Sequence, residues 1–354
     1  MRFRRFFADG LDPAGRRIDF IQEFKMELKS ISLDSHLGLV SEELARVEEV
    51  LDQEARSEAE LIFKVSDHIL KSGGKRFRPA LLLLSSRLCG CQGGENVFYA
   101  AAIEYAHTAT LLHDDVVDEA EIRRGRPSAN ILFGNQASVL VGDYLLFKAF
   151  TVIHQLGNYR ILGLLNEIAL QMAEGEAWQL ERRGRIEISE AEYFSTIIDK
   201  TASLISASCQ IGAILGEANR KQEEALADYG LNVGIAFQLV DDALDYTNTK
   251  PGWGKQLGKD FMEGKATLPL LRAFRTGSEN ERSRLKEFFS KGVRSYEDYL
   301  EALQIISRLA GVEYTREKAR QYSSTAKKHL SIFPDSLFKN ALEAMADFVV
   351  NRNY

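Results

Sequence analysis

The sequence predicts an all-α protein, a single-domain bundle of a dozen or more helices around a central cavity. Three observations carry that expectation. Apolar residues recur at spacings of three and four, as in Ile62, Val65, Ile69 and Tyr299, Leu303, Ile306, Leu309, the period of an amphipathic helix. Strand-like alternation is nearly absent. No proline lies between Pro127 and Pro251, a gap that a mixed fold with many turns would not readily leave.

The 354 residues, 45% hydrophobic, suffice for one large domain or two ordinary ones. No low-complexity linker and no solenoid period divides them, so residues 36–354 read as one domain behind an N-terminal extension, residues 1–35. That extension opens Met1-Arg-Phe-Arg-Arg-Phe-Phe7, basic and aromatic but without the apolar core of a signal peptide. It reads as a flexible or membrane-touching segment, with Met26 as an alternative start. A net charge of −6 argues against nucleic-acid binding. Three cysteines, Cys89, Cys91 and Cys209, form neither a disulfide framework nor a zinc spacing, which points to a reducing cytoplasm; Cys89 and Cys91 read as small buried residues. No apolar run approaches the roughly 18 residues of a membrane span; Ala80 to Leu84 is the densest.

Along the chain, Ser57-x-x-Glu60 reads as a capping box opening a helix Glu58–Ser72, closed by Gly73-Gly74. A basic turn follows, Gly73-Gly-Lys-Arg-Phe-Arg-Pro79, with Lys75, Arg76 and Arg78 expected exposed, and the next helix begins near Ala80. Val97–Val117 is apolar on most sides and should be buried nearly all round. Ser189-x-x-Glu192 opens a helix Tyr193–Leu215 that Gly216 closes, Asn232–Tyr246 is a second buried helix, and Ser278-x-x-Glu281 is a third capping box.

The chemistry collects where the first buried helix ends, Leu111-Leu-His-Asp-Asp-Val-Val-Asp118. Asp114 and Asp118, four apart, share a helical face, and Asp115 lies about 100° round from Asp114. Such carboxylates repel each other unless a cation lies between them, so removing one should not destabilise the metal-free protein. Oxygen-only ligands favour Mg²⁺ or Mn²⁺ over zinc. Clustered acids at a helix end are ordinarily solvated surface; a second copy, Asp241-Asp-Ala-Leu-Asp245 after Ile235–Val240, argues otherwise. Basic loops follow both clusters: Glu121-Ile-Arg-Arg-Gly-Arg-Pro127, then Gly254-Lys255-Gln-Leu-Gly-Lys-Asp260 and Glu263-Gly-Lys265. Mg²⁺ takes one or two carboxylates and completes its shell with phosphate and water, and Lys and Arg neutralise what remains of the anion. His113 is expected to hydrogen-bond behind the acids rather than to ligate a hard ion.

These motifs, with His107, Lys200-Thr201, Phe237-Gln-Leu-Val-Asp-Asp-Ala-Leu-Asp245 and Gly264-Lys-Ala-Thr-Leu-Pro269, resemble those of the trans-isoprenyl (polyprenyl) diphosphate synthases. The likeness is strongest to the long-chain branch that makes the side chains of respiratory quinones, and it runs from about Glu42 to the C-terminus. One departure is Trp253-Gly-Lys255, where long-chain relatives commonly have Leu-Gly-Lys. The resemblance implies an isoprenoid-synthase bundle and a homodimer. It implies three Mg²⁺ ions, Mn²⁺ substituting, with Asp114 and Asp118 binding two across the allylic diphosphate, Asp241 the third, and Asp115, Asp242 and Asp245 in support. Lys75, Arg78, His107 and Arg124 would hold isopentenyl diphosphate; Arg123, Lys200, Thr201, Gln238, Lys255 and Lys265 would line the allylic side.

The implied reaction ionises an allylic diphosphate such as farnesyl diphosphate and adds isopentenyl units head to tail, with the departing diphosphate as a plausible base. Membrane contact is at most peripheral, for product release. A class I terpene cyclase would carry a different second metal motif. A non-catalytic partner subunit of a heteromeric synthase usually lacks one Asp cluster or the isopentenyl-binding cations, both of which this chain retains. A short-chain farnesyl or geranylgeranyl synthase is the alternative for product. Ala106, Ala109 and Thr110, one to two turns before Asp114, are all small and would form the tunnel wall, with Phe147 or Phe150 as a deeper stop. That groove predicts a product of roughly C30 to C50, centred on octaprenyl.

Overall fold

The structure, a computed structural model, describes residues 36–54, 57–74, 76–247 and 258–352. The expected extension 1–35, and with it Lys75 and Lys255, lies outside the described residues. Helices follow one another closely: α1 Ser41–Glu54, α2 Glu60–Leu70, α3 Phe77–Leu88 and α4 Asn96–Val117. A two-residue hairpin, β1 Ile122–Arg123 with β2 Arg126–Pro127, leads to α5 Ala129–Phe133, α6 Asn135–Gln155 and α7 Tyr159–Glu181. α8 Glu190–Ile197 passes through a π-helical turn, Ile198–Ala202, into α9 Ser203–Leu215, and α10 is Arg220–Asp245. Then come α11 Lys259–Met262, α12 Leu268–Thr276, α13 Glu279–Ser290, α14 Tyr296–Arg308, α15 Gly311–His329 and α16 Leu337–Asn351. The all-α expectation holds, and the hairpin is the sole strand pairing among the described residues.

α4 and α10 are the buried helices the sequence singled out. α4 packs most extensively on α6, and α10 on α15 and α9. Ile103 and Leu112 of α4 are fully buried, each contributing roughly 1.5–3 kcal/mol. Two buried tyrosines tie distant elements together through their hydroxyls: Tyr105 donates to Leu51 O at 2.7 Å and Tyr229 to Leu342 O at 2.6 Å.

Helix ends correct the sequence reading in places. The capping boxes at Ser189 and Ser278 form, and two more occur at Asn219 and Ser295. Ser57 caps nothing: α2 starts at Glu60 with Ala59 as its N-cap, and Ser57 Oγ instead accepts from Ala59 N at 3.2 Å, a local turn that competes with helix. Gly216 is not left-handed (φ −88°); Glu217 takes that conformation, φ 53°. Glycine is needed at 216 because a Cβ would lie 2.4 Å from Cys89 Cβ. Cys89 and Cys91 are half-buried rather than buried. α6 also exceeds expectation, being long and apolar enough by length and composition to cross a membrane. Its residues Val141, Leu145 and Ala149 face the core, while Leu140 and Phe147, two turns apart, lie on an exposed stripe. Phe147 is 66% exposed, so it cannot be the deep stop; Phe150 is half-buried against the core.

Candidate active site

Two cation-rich groups flank the Asp clusters. At the end of α4, Asp118 N donates to Asp114 O at 2.8 Å, keeping the two carboxylates on successive turns of one face. Asp115 points inward, fully buried, and accepts from Arg123 Nε at 2.9 Å and Nη2 at 2.5 Å. Asp118 Oδ2 accepts from Lys265 Nζ at 3.0 Å, and Oδ1 from Arg183. Burial works to raise the Asp118 carboxyl, but Lys265, with Lys200 and Arg183, overrides it and holds it below the ordinary range. Asp114 is raised instead, because burial outweighs the more distant Lys200 at 3.9 Å.

Lys200 stands in the π-helical turn, which re-aims the side chains it carries; such turns often occur at functional sites. Its Nζ reaches Glu176 at 2.5 Å and Gln179 at 2.8 Å, both on α7. Beside it, Thr201 donates to Gln238 Oε1 at 3.1 Å, Gln238 donates to Asp242 at 2.8 Å, and Tyr193 donates to Asp242 at 2.5 Å. Burial, with Asp260 adding to it, pushes the Asp242 carboxyl up to about 7. Gln179, Lys200, Thr201, Gln238, Asp242 and Lys265 line one cavity. Asp241 pairs with Arg352 at 2.9 Å; that guanidinium lies 3.7 Å over the Phe237 ring and is itself buried. Asp245 Oδ2 accepts from Asp260 N at 3.1 Å, tying the first turn of α11 to the end of α10.

The second group surrounds His107. Arg78 and Arg76, expected exposed, are part-buried. Arg76, left-handed at φ 45°, is locked to Glu48 at 2.5 Å and Glu104 at 2.9 Å. Arg78 has a buried Nε without a hydrogen-bond partner among the described residues; burial first, and Arg124 beside it, against the pull of Glu104, push it down to about 10. His107 is held well below 6.5 by burial and then by Arg78, Arg124, Arg123 and Arg76. Arg124 arrives on the hairpin turn, where it and Gly125 are both left-handed (φ 52° and 75°) as a two-residue turn of this kind requires. Its guanidinium packs so closely on Gly74 that a Cβ there would lie 2.9 Å from Nη1. Crowded cations with an unpartnered nitrogen and a neutral imidazole are suited to receiving an anion.

His113 Nε2 lies 3.3 Å from Val139 O and from Asp143, both on α6. Ala106 and Ala109 are buried, and Thr110 turns its hydroxyl to His107 O at 2.7 Å. Sequence reasoning missed Glu176, Gln179, Arg183, Tyr193 and Arg352. It also missed Glu104, for which a signal existed: it is a carboxylate in the apolar stretch of α4 before the Asp cluster, and such a residue needs a partner.

The donor set fits a hard divalent ion. The carboxylates offer oxygen alone, and Asp114, Asp118 and Asp241 each have a cationic side chain nearby. No group of three metal-type residues close enough to hold an ion exists among the described residues.

Helices carrying two Asp-rich turns beside grouped cations define the isoprenoid-synthase class of all-α enzymes. The polyprenyl synthetase family model matches residues 59–306. The octaprenyl diphosphate synthase of Haemophilus influenzae is 39% identical over 324 residues, 92% of this chain and 98% of that protein. A polyprenyl synthase from Caulobacter crescentus, solved with calcium and isoprenyl diphosphate, superposes with a TM-score of 0.88 at 37% identity, covering 91% of this chain and 98% of its own. A decaprenyl diphosphate synthase from Rhodobacter capsulatus gives 0.86 at 39% identity, covering 91% and 100%. The chain belongs to the polyprenyl synthetase family and is a trans-prenyltransferase.

Proposed function

We propose that this enzyme condenses an allylic diphosphate such as farnesyl diphosphate with successive isopentenyl diphosphates, giving a long all-trans polyprenyl diphosphate, octaprenyl or near it, for a quinone side chain. The observation that carries the reading is two sets of cations: Lys200 and Lys265, which line one cavity with Thr201 and Gln238, and Arg78 and Arg124, which crowd His107. Two diphosphate esters need two such pockets.

Asp114, Asp118 and Asp241 would hold Mg²⁺, which supplies Lewis-acid charge neutralisation when bound. Lys200 and Lys265 carry positive charge to the leaving diphosphate, adding electrostatic stabilisation. Arg78 and Arg124 orient the isopentenyl diphosphate, and His107 hydrogen-bonds it. Lys75 and Lys255 are assigned with these two pockets by resemblance alone. Asp115 holds Arg123 by two nitrogens, so Arg123 reaches the allylic diphosphate only with what remains of its fork. The apolar α4 wall keeps water from the allylic cation, and the released diphosphate accepts the proton.

The exposed apolar stripe of α6, with Val139, Leu140 and Phe147, and the neighbouring Ile131 and Leu132 of α5, supports a homodimer. Several large apolar side chains exposed on neighbouring helices mark an association site. The deciding experiment incubates purified protein with Mg²⁺, farnesyl diphosphate and labelled isopentenyl diphosphate and sizes the extracted product. Octaprenyl-range product is expected; mainly C15 or C20 would favour the short-chain alternative, and no product would favour a non-catalytic subunit.

A further inference from the structure

Asp118 carries a cation on each oxygen, Arg183 on Oδ1 and Lys265 on Oδ2. The two cations arrive on loops joined by a backbone hydrogen bond, Gly184 N to Gly264 O at 2.9 Å. They are not equivalent. Lys265 has a second partner, Glu263 at 2.7 Å, so it keeps a counter-charge if Asp118 is taken away. Arg183 has no second side-chain partner among the described residues; its Nε is buried and unpartnered, and its side chain is 28% exposed. A guanidinium stays charged at any ordinary pH, and a partly buried charge without a partner is costly.

A hard divalent ion held by Asp118 would compete for the carboxylate charge that now holds Arg183. Arg183, with no second side-chain partner among the described residues, would then be left short of counter-charge. The anion that enters with the ion is a diphosphate. We infer that Arg183 is a further ligand of the allylic diphosphate: it is held by Asp118 in the metal-free protein and passes to the phosphate oxygens as the metal takes the carboxylate. A guanidinium suits both partners, since its planar fork matches carboxylate and phosphate alike. The exchange makes metal and diphosphate binding depend on each other. It rests on the proposed assignment of the allylic diphosphate to the Lys200 side.

The test is calorimetric titration of Mg²⁺ with farnesyl thiodiphosphate, whose C–S bond resists ionisation, into wild type, Arg183→Ala, Arg183→Lys and Lys200→Ala. Arg183→Ala should bind the analogue about tenfold more weakly or worse, with Arg183→Lys recovering part of the loss. In steady state the KM for the allylic substrate should rise while that for isopentenyl diphosphate stays near wild type. If Arg183→Ala does not fold, as judged by its thermal melt, Arg183→Gln carries the same test. Wild-type or tighter analogue binding by Arg183→Ala, with weak binding by Lys200→Ala, would reduce Arg183 to a latch on Asp118 and overturn the inference. Wild-type binding by both variants would overturn the allylic assignment itself.

Discussion

With no carboxylate at position 118, Arg183 would lose its one side-chain partner among the described residues, while Lys265 keeps Glu263. Asp118→Ala should therefore lower the stability of the metal-free protein by about 2 kcal/mol, measured by denaturant titration in a chelator, as well as cut turnover by orders of magnitude. Repulsion between bare acids would predict the opposite, an unchanged or raised stability, and the paired cations are the reason it does not apply. His107 yields a pH prediction. The folded state keeps it neutral below its ordinary 6.5, whereas the unfolded chain takes up a proton as pH falls through that value. The unfolded state then binds more protons, so stability is full above about pH 6.5 and declines on acidification, with a slope of at most about 1.4 kcal/mol per pH unit from this group. His107→Gln should flatten that part of the profile, and the difference between the two proteins isolates it from carboxyls such as Asp242. At the same scale, Arg78→Ala should raise the KM for isopentenyl diphosphate far more than for the allylic substrate, and Lys200→Ala the reverse. Equal effects from both would mean the pockets are wrongly divided.

Among elements, α6 and the π-helical turn were the least legible. The periodicity of α6 marks a helix, but apolar residues on both its faces look the same in sequence whether the outer face meets core, lipid or a second copy. Leu140→Asp should convert a dimer into monomers in sedimentation, since it sets a charge in the centre of the exposed stripe; an unchanged sedimentation coefficient would move the interface elsewhere. The π-helical turn at Ile198–Ala202 leaves no trace in the apolar spacing, so Lys200 and Thr201 stood out only through their place among the motifs. The Asp clusters were legible because α4 and α10 are apolar enough to be read as buried helices. Their partners were not. Arg183 sits three residues past the start of no motif and in a run of charges, and its role depends on a contact across 65 positions. The same holds for the Ser57 cap, where a two-residue hydroxyl contact outcompetes a familiar pattern.

For the whole molecule, the length of the product measures how far the bundle stays open below the acids. Ala109 is buried on α4 one turn and a residue before Asp114, so a ring there would occupy space without touching either anion group. Ala109→Phe should shorten the product towards C15–C20 while the enzyme still turns over, as read by chromatography of the dephosphorylated prenols. An unchanged long product would mean that the chain runs along another wall. The pairing of Arg352 with Asp241 carries a consequence of a different kind, one of reach. Arg352 follows α16, so replacing it would spare every helix described above yet leave Asp241 without that cation. A change just past α16 thus acts, over a long stretch of sequence, on the charge balance of the second Asp cluster.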